Sequence, residues 1–179
     1  MRTTHCVRLF LILIGHLDRS EIIMKQTEED IPFAYGPHAP ALYFQIPDEE
    51  KEERCILNSD MCIIDNEHFF IVGNLELPVK GSEKVFSWDI WVSLSEKNFD
   101  RAYELWEDPN RTKEPAYFGW LCSSLPLYPE TLHLKTHVHT REVGQRPFIE
   151  LEQTEHPLAI EQKEGITLER VKEFAKKLL

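Results

Sequence analysis

Three histidines occur close together in the C-terminal half of the chain, at His133, His137 and His139. A β-strand points alternate side chains to one side, so a strand over residues 131–141 would place these imidazoles and Arg141 on one face. Two histidines separated by one strand residue have Cα atoms about 7 Å apart, and their rings can converge on a metal ion. The spacing therefore makes His137 and His139 candidate metal ligands.

Charged side chains that follow this segment widen the chemistry that it could support. Arg141 and Arg146 flank a four-residue turn, Glu-Val-Gly-Gln, from which both guanidiniums could reach one anion. Glu150 or Glu152 could supply a third metal ligand or an acid–base carboxylate, and His156 is the remaining candidate for the third ligand. The candidate ligand-binding set is His137, His139, Arg141, Arg146, Glu150 and His156.

Three interpretations of this set stay open at the level of sequence. Histidine, lysine and glutamate are ordinary residents of a solvated sheet face, which needs no function. The same residues could instead form a site for an organic or anionic ligand. The third interpretation is a divalent metal site on His137 and His139, although no cofactor is favoured.

Motifs of nucleophilic catalysis and nucleotide binding are absent from the sequence. No glycine elbow surrounds Ser123 and Ser124, and no histidine stands at a diagnostic spacing from Cys122. The seven glycines form neither a G-x-G-x-x-G fingerprint nor a P-loop. We therefore expect a non-catalytic binding module, with a metal-dependent hydrolase using the His137 and His139 strand as the alternative, and enzymatic activity stays undecided.

The net charge limits the partners that this protein can have. The formal charge is −11 at pH 7, which repels nucleic-acid phosphates and anionic lipid headgroups. We expect neither nucleic acid nor membrane as a partner, and a basic protein or a small ligand instead. Cysteine spacing matches no zinc motif and no disulfide framework, which predicts reduced thiols and a cytoplasmic protein; the four are Cys6, Cys55, Cys62 and Cys122.

A chain of 179 residues suits one domain with one core. Residues 1–23 faintly resemble a signal peptide, but the apolar run at 9–14 is short and polar residues follow it where a small-residue cleavage site should lie. We therefore predict that residues 1–23 are an N-terminal extension outside the fold. Residues 24–179 are then a single globular α+β domain.

Apolar residues alternate with period two at residues 69–79 and 86–94, and this pattern predicts two half-buried strands. Consecutive strands with few helices between them favour an α+β fold. We expect an antiparallel sheet of about five to six strands with two or three helices packed on one side. Further strands are expected at 61–64, 117–122, 131–141 and 147–152, helical turns at 41–46 and 49–54, and helices at 98–106, 157–163 and 167–178.

Five stretches of the chain together resemble a known bacterial family. They read FFIVGNLELP at 69–78, WVSLS at 91–95, YFGW at 117–120, LKTHVHTR at 134–141 and HPLAIEQ at 156–162. Over roughly residues 31–179 the sequence resembles the family catalogued as domain of unknown function 2199. The resemblance implies no activity, ligand or mechanism, because none is established for the family. Many members carry a C-x-x-C-G element just before the region that matches residues 32–36, and here residues 26–30 contain no cysteine.

Overall fold

The computed structural model describes residues 32–178, which contain eight strands and four α-helices. The proposed extension at residues 1–23 lies outside these residues and stays a prediction. The strands are β1 (Ala34–Tyr35), β2 (Cys55–Leu57), β3 (Met61–Ile64), β4 (His68–Pro78), β5 (Val85–Leu94), β6 (Tyr117–Leu121), β7 (Lys135–His139) and β8 (Phe148–Leu151). The helices are α1 (Asp48–Arg54), α2 (Glu96–Glu104), α3 (Pro157–Glu164) and α4 (Leu168–Leu178), with 3-10 helices at Ala41–Gln45 and Pro109–Lys113.

Five consecutive strands, β4 to β8, close into a small barrel. Each pairs with the next in antiparallel fashion, and β8 then returns to pair with β4 in parallel through Asn74 and Phe148. The closing pair has to be parallel, because the first and fifth strands of an up-and-down series run in the same direction.

The α+β class is confirmed, and the expected sheet is wrong in its size and in its form. Within residues 32–178, eight strands rather than five or six belong to one sheet, and that sheet is partly closed into a barrel. Two pairings are parallel, β4 with β8 and β1 with β5. Short strands β1 and β2 extend the sheet at its two ends, and two- or three-residue strands carry too little alternation to be read from sequence.

The β4–β5 hairpin is the longest pairing, with partners running from Phe69 and Leu94 to Pro78 and Val85. Its middle residue, Gly73, permits the barrel to close. A Cβ atom at that position would lie 2.5 Å from Cδ1 of Ile149 and 2.8 Å from the carbonyl oxygen of Pro147. Any larger residue would therefore hold β8 away from β4.

Two apolar clusters lie on opposite faces of this hairpin. The larger one fills the barrel and extends beneath α4, where Phe174 packs against Phe86 and Trp88. The smaller one surrounds Trp91 on the outer face, and the Trp91 indole N–H donates to the Pro37 carbonyl at 3.0 Å. This second cluster holds the segment around the first 3-10 helix against the sheet. None of the helices within residues 32–178 is both long enough and apolar enough to cross a bilayer.

Candidate functional site

The alternation predicted for the histidine segment is present in β7, although the strand is shorter than expected. His137 and His139 point outward, while Thr136 and Val138, which alternate with them along the strand, are buried. The strand ends at His139, so Arg141 lies beyond it. His133 lies before the strand in a left-handed conformation with a φ of 67°, and it does not join the predicted face.

Three of the six candidate residues come together on the outer face of β7 and β8. Glu150 lies directly opposite His137 in the strand register, and its Oε2 is 2.8 Å from Nε2 of His139. The His137 ring stands edge-on to Phe118 of β6, with centroids 6.4 Å apart. The His139 and Glu150 side chains are both more than 40% exposed, so this contact contributes little to stability.

Arg141 is engaged in contacts on the neighbouring β4 strand and on β8. Its guanidinium donates to the Glu76 carboxylate and lies over the Phe148 ring, 5.4 Å from the centroid. The positive charge of Arg141 is therefore already neutralised by the fold.

Arg146 joins three parts of the chain that are far apart in sequence. Its Nε and Nη1 donate to Asp60 and Asp89 at 3.0 Å each, and its Nη2 donates to the Ser59 carbonyl at 2.9 Å. Asp89 also accepts from the Asn74 amide at 2.6 Å, beside the pair that closes the barrel. The two arginines thus bind different carboxylates, and they do not converge on one anion.

His156 has a local role at the start of α3. Its Nδ1 accepts a hydrogen bond from the Leu158 N–H at 3.2 Å, and Pro157 occupies the first helical turn. The other ring nitrogen, Nε2, is buried and has no hydrogen-bond partner among the described residues. Because helix starts favour side chains that accept from the second or third N–H, His156 acts here as an N-cap.

Residues 32–178 contain no group of three or more His, Cys, Asp or Glu side chains placed to hold a metal ion. His137, His139 and Glu150 share a face without meeting that arrangement. The metal interpretation of His137 and His139 therefore gains no support from the geometry and stays a prediction.

A cleft that the sequence did not reveal lies at the open end of the β4–β5 hairpin, beside the start of β4 and the end of β5. Its volume is about 720 Å³. Five separate segments form its walls: the first 3-10 helix, the β3–β4 turn, the end of β5, β6, and the connection before β7. The apolar lining includes Leu42, Phe69, Phe70, Leu94, Trp120 and Leu132, and the polar lining is Gln45, Glu67, His68, Ser93, Cys122 and His133. Residues from so many segments carry no shared spacing that sequence reasoning could detect.

The backbone at His133 is strained where it lines this cleft. Its φ of 67° is uncommon for a residue other than glycine, and histidine is among the types that tolerate it. The conformation is held by the His133 N–H, which donates to the Leu121 carbonyl at 2.7 Å. Strained positions of this kind often mark ligand sites.

Cys122 is the cysteine of the cleft lining, and its surroundings disfavour the thiolate form. Burial raises the pKa of the Cys122 thiol, with hydrogen bonding to Ser93 acting in the opposite direction. A thiol rather than a thiolate therefore faces the cleft at neutral pH, and only the thiolate is a good nucleophile. This arrangement suits binding better than covalent chemistry.

Two exposed aromatic side chains continue the cleft onto the outer face of β6. Trp120 lines the cleft and is 41% exposed, and Phe118 beside it is 44% exposed. Their rings meet edge-to-face with centroids 5.2 Å apart.

Comparison with known proteins gives one match. A family model described as an uncharacterised protein conserved in bacteria, DUF2199, matches residues 25–166. No curated protein and no solved structure matches the chain.

Proposed function

This chain belongs to the DUF2199 family of bacterial proteins, and from its own geometry we propose that it is a non-catalytic module that binds a small organic ligand in the cleft. The cleft volume of about 720 Å³ carries the proposal. Small-molecule sites are typically clefts of about 300–1,000 Å³ with a largely apolar lining and a few polar groups that orient the ligand. Leu42, Phe70 and Leu132 supply the apolar surface, and Glu67 and His133 supply polar contacts.

The candidate residues predicted from the sequence lie outside the cleft, and their contacts favour the cleft over their own surface as the ligand site. Arg141 and Arg146 are each occupied by carboxylates, and His156 is occupied by the start of α3. An anionic ligand at that place would have to displace these ion pairs. The cleft offers polar groups without that cost.

A protein partner is the second candidate, and the exposed Phe118 and Trp120 pair favours it. Aromatic side chains are enriched at the centres of protein interfaces, where they account for much of the binding energy. The formal charge of −11 suits a basic partner. The metal-dependent hydrolase alternative would require a third ligand beside His137 and His139.

We place the protein in the cytoplasm. The three cysteines within the described residues, Cys55, Cys62 and Cys122, are free thiols, and reducing compartments keep thiols in that state.

A neutral aromatic probe tests the ligand-binding proposal. We expect 2-naphthalenemethanol to bind at one saturable site with a dissociation constant of the order of 0.1 mM in calorimetry, as expected for a ligand of this size. Ala41 lines the cleft, so Ala41→Phe should fill the space and abolish binding. Ala116→Phe is the matched control, because Ala116 is exposed and lies outside the cleft lining. Equal binding by both variants, or no saturable binding by the unmodified protein, would refute the assignment.

A further inference from the structure

We propose that the cleft selects organic cations, namely ligands that carry an amino group on an apolar body. This inference rests on the proposed ligand-binding function and adds the chemical class of the ligand. The main evidence for a cationic ligand is the charge of the residues that line the cleft. Among the cleft-lining residues in the described part of the chain, Glu67 is the acidic one, and none is lysine or arginine.

The Glu67 carboxylate is available to a ligand. No ion pair formed within residues 32–178 engages it. Asp65, two residues earlier in the same turn, differs in this respect, because Arg54 donates to both of its carboxylate oxygens, at 2.7 and 2.6 Å. The fold thus neutralises one carboxylate of the turn and leaves the other at the cleft.

The position of Glu67 is fixed by the tight turn between β3 and β4. Asp65 and Asn66 both adopt left-handed backbone conformations, with φ of 54° and 55°. The Glu67 N–H donates back to the Ile64 carbonyl at 3.1 Å and completes the turn. Asp and Asn tolerate this conformation better than most residues, so the turn is well specified by its sequence. The backbone of Glu67 is therefore held at the rim of the cleft by a preorganised turn.

The apolar wall completes the selectivity for a cation on an apolar body. Trp120 lines the same cleft, and an indole ring attracts a cation through its quadrupole while also packing against an apolar group. The formal charge of −11 adds a long-range field that favours cations over anions. The two imidazoles of the lining, His68 and His133, are the groups that could oppose a cation.

Three probes with one aromatic body and different charges test this proposal. They are 2-naphthylmethylamine, 2-naphthalenemethanol and 2-naphthoate, titrated at pH 8 and low salt with calorimetry. We expect the amine to bind about fivefold more tightly than the alcohol, and the carboxylate to bind more weakly than either. Glu67→Gln should remove most of the preference for the amine and leave the affinity for the alcohol unchanged. Glu83→Gln, which removes an equal charge from an exposed turn outside the lining, should leave all three affinities unchanged.

A charge reversal gives a second and independent result. Glu67→Lys should reverse the order of the probes, so that 2-naphthoate binds best. Equal affinity of amine and alcohol for the unmodified protein would overturn the cation preference, as would an amine affinity that Glu67→Gln does not change. Either result would leave the cleft itself intact as a binding site. Failure of all three probes to bind would instead overturn the proposed function.

Discussion

Replacing Arg146 with methionine should destabilise the whole domain. The guanidinium makes three hydrogen bonds, two to carboxylates and one to a carbonyl, and they join the β7–β8 connection to β5 and to the segment before β3. A typical hydrogen bond contributes about 0.5–1.5 kcal/mol, and solvent exposure brings a charge-assisted bond down towards this range. The Arg146 side chain is 32% exposed, so solvent screening places each bond in the lower half of that range. We therefore expect Arg146→Met to lower the free energy of unfolding by about 2 kcal/mol.

Urea denaturation followed by circular dichroism measures this change, and thermal unfolding should show a fall in Tm of about 6 °C. Lys135→Met is the matched control, because the Lys135 side chain of β7 pairs with Glu152, just after β8, and both side chains are about half exposed. Lys135→Met should lower the free energy of unfolding by less than about 0.5 kcal/mol. Combining Arg146→Met with Asp89→Asn should reveal a coupling of about 1 kcal/mol. If Arg146→Met lowers the free energy of unfolding no more than Lys135→Met does, the ion pairs of Arg146 with Asp60 and Asp89 do not stabilise the barrel.

Three further predictions concern the helix cap, a buried thiol and the histidine strand. His156→Ala should lower the free energy of unfolding by about 1 kcal/mol, whereas His156→Asn, which keeps a capping side chain, should lower it much less. Equal losses for the two variants in urea denaturation would contradict the capping role. Burial raises the pKa of Cys62 to about 12. Iodoacetamide at pH 8 should therefore leave Cys62 of the native protein unmodified, as measured by mass spectrometry. Labelling as fast as in urea would show that the strand opens readily. Elemental analysis should give the same zinc, iron and manganese content for the unmodified protein and a His137→Ala/His139→Ala variant, both purified without a metal-binding tag. A metal that is present in the unmodified protein and absent from the variant would support the hydrolase alternative.

Local patterns in the sequence predicted the two longest strands accurately, while the histidine strand is shorter than predicted and β1 and β2 were not predicted. The alternation at residues 69–79 and 86–94 corresponds to β4 and β5 within one residue at each end. The helical turns expected at residues 41–46 and 49–54 are also present, as the first 3-10 helix and α1. Period-two burial is a property of neighbouring residues, and a single sequence displays it directly.

Barrel closure and the ion pairs could not be predicted in the same way. Closure depends on one register pair between Asn74 and Phe148 and on the missing side chain at Gly73, and neither leaves a local pattern. Arg141 and Arg146 are close in sequence, yet each finds its carboxylate on a distant strand. The described structure brings only His137, His139 and Glu150 of the candidate set together, while Arg141, Arg146 and His156 make separate local contacts. Ligand binding by the set stays a prediction.

The late position of β8 in the chain has a consequence for how the protein is made. While the polypeptide emerges during synthesis, β4 and β5 are complete well before β8 exists, and the edge of β4 that β8 will occupy stays unpaired around Asn74. An open strand edge can pair with the same edge on another nascent chain. The β3 strand already covers the N-terminal part of that edge, from His68 to Ile71, and so shortens the stretch at risk. Crowding of partly synthesised chains should therefore be most harmful in the interval between the completion of β5 and the arrival of β8.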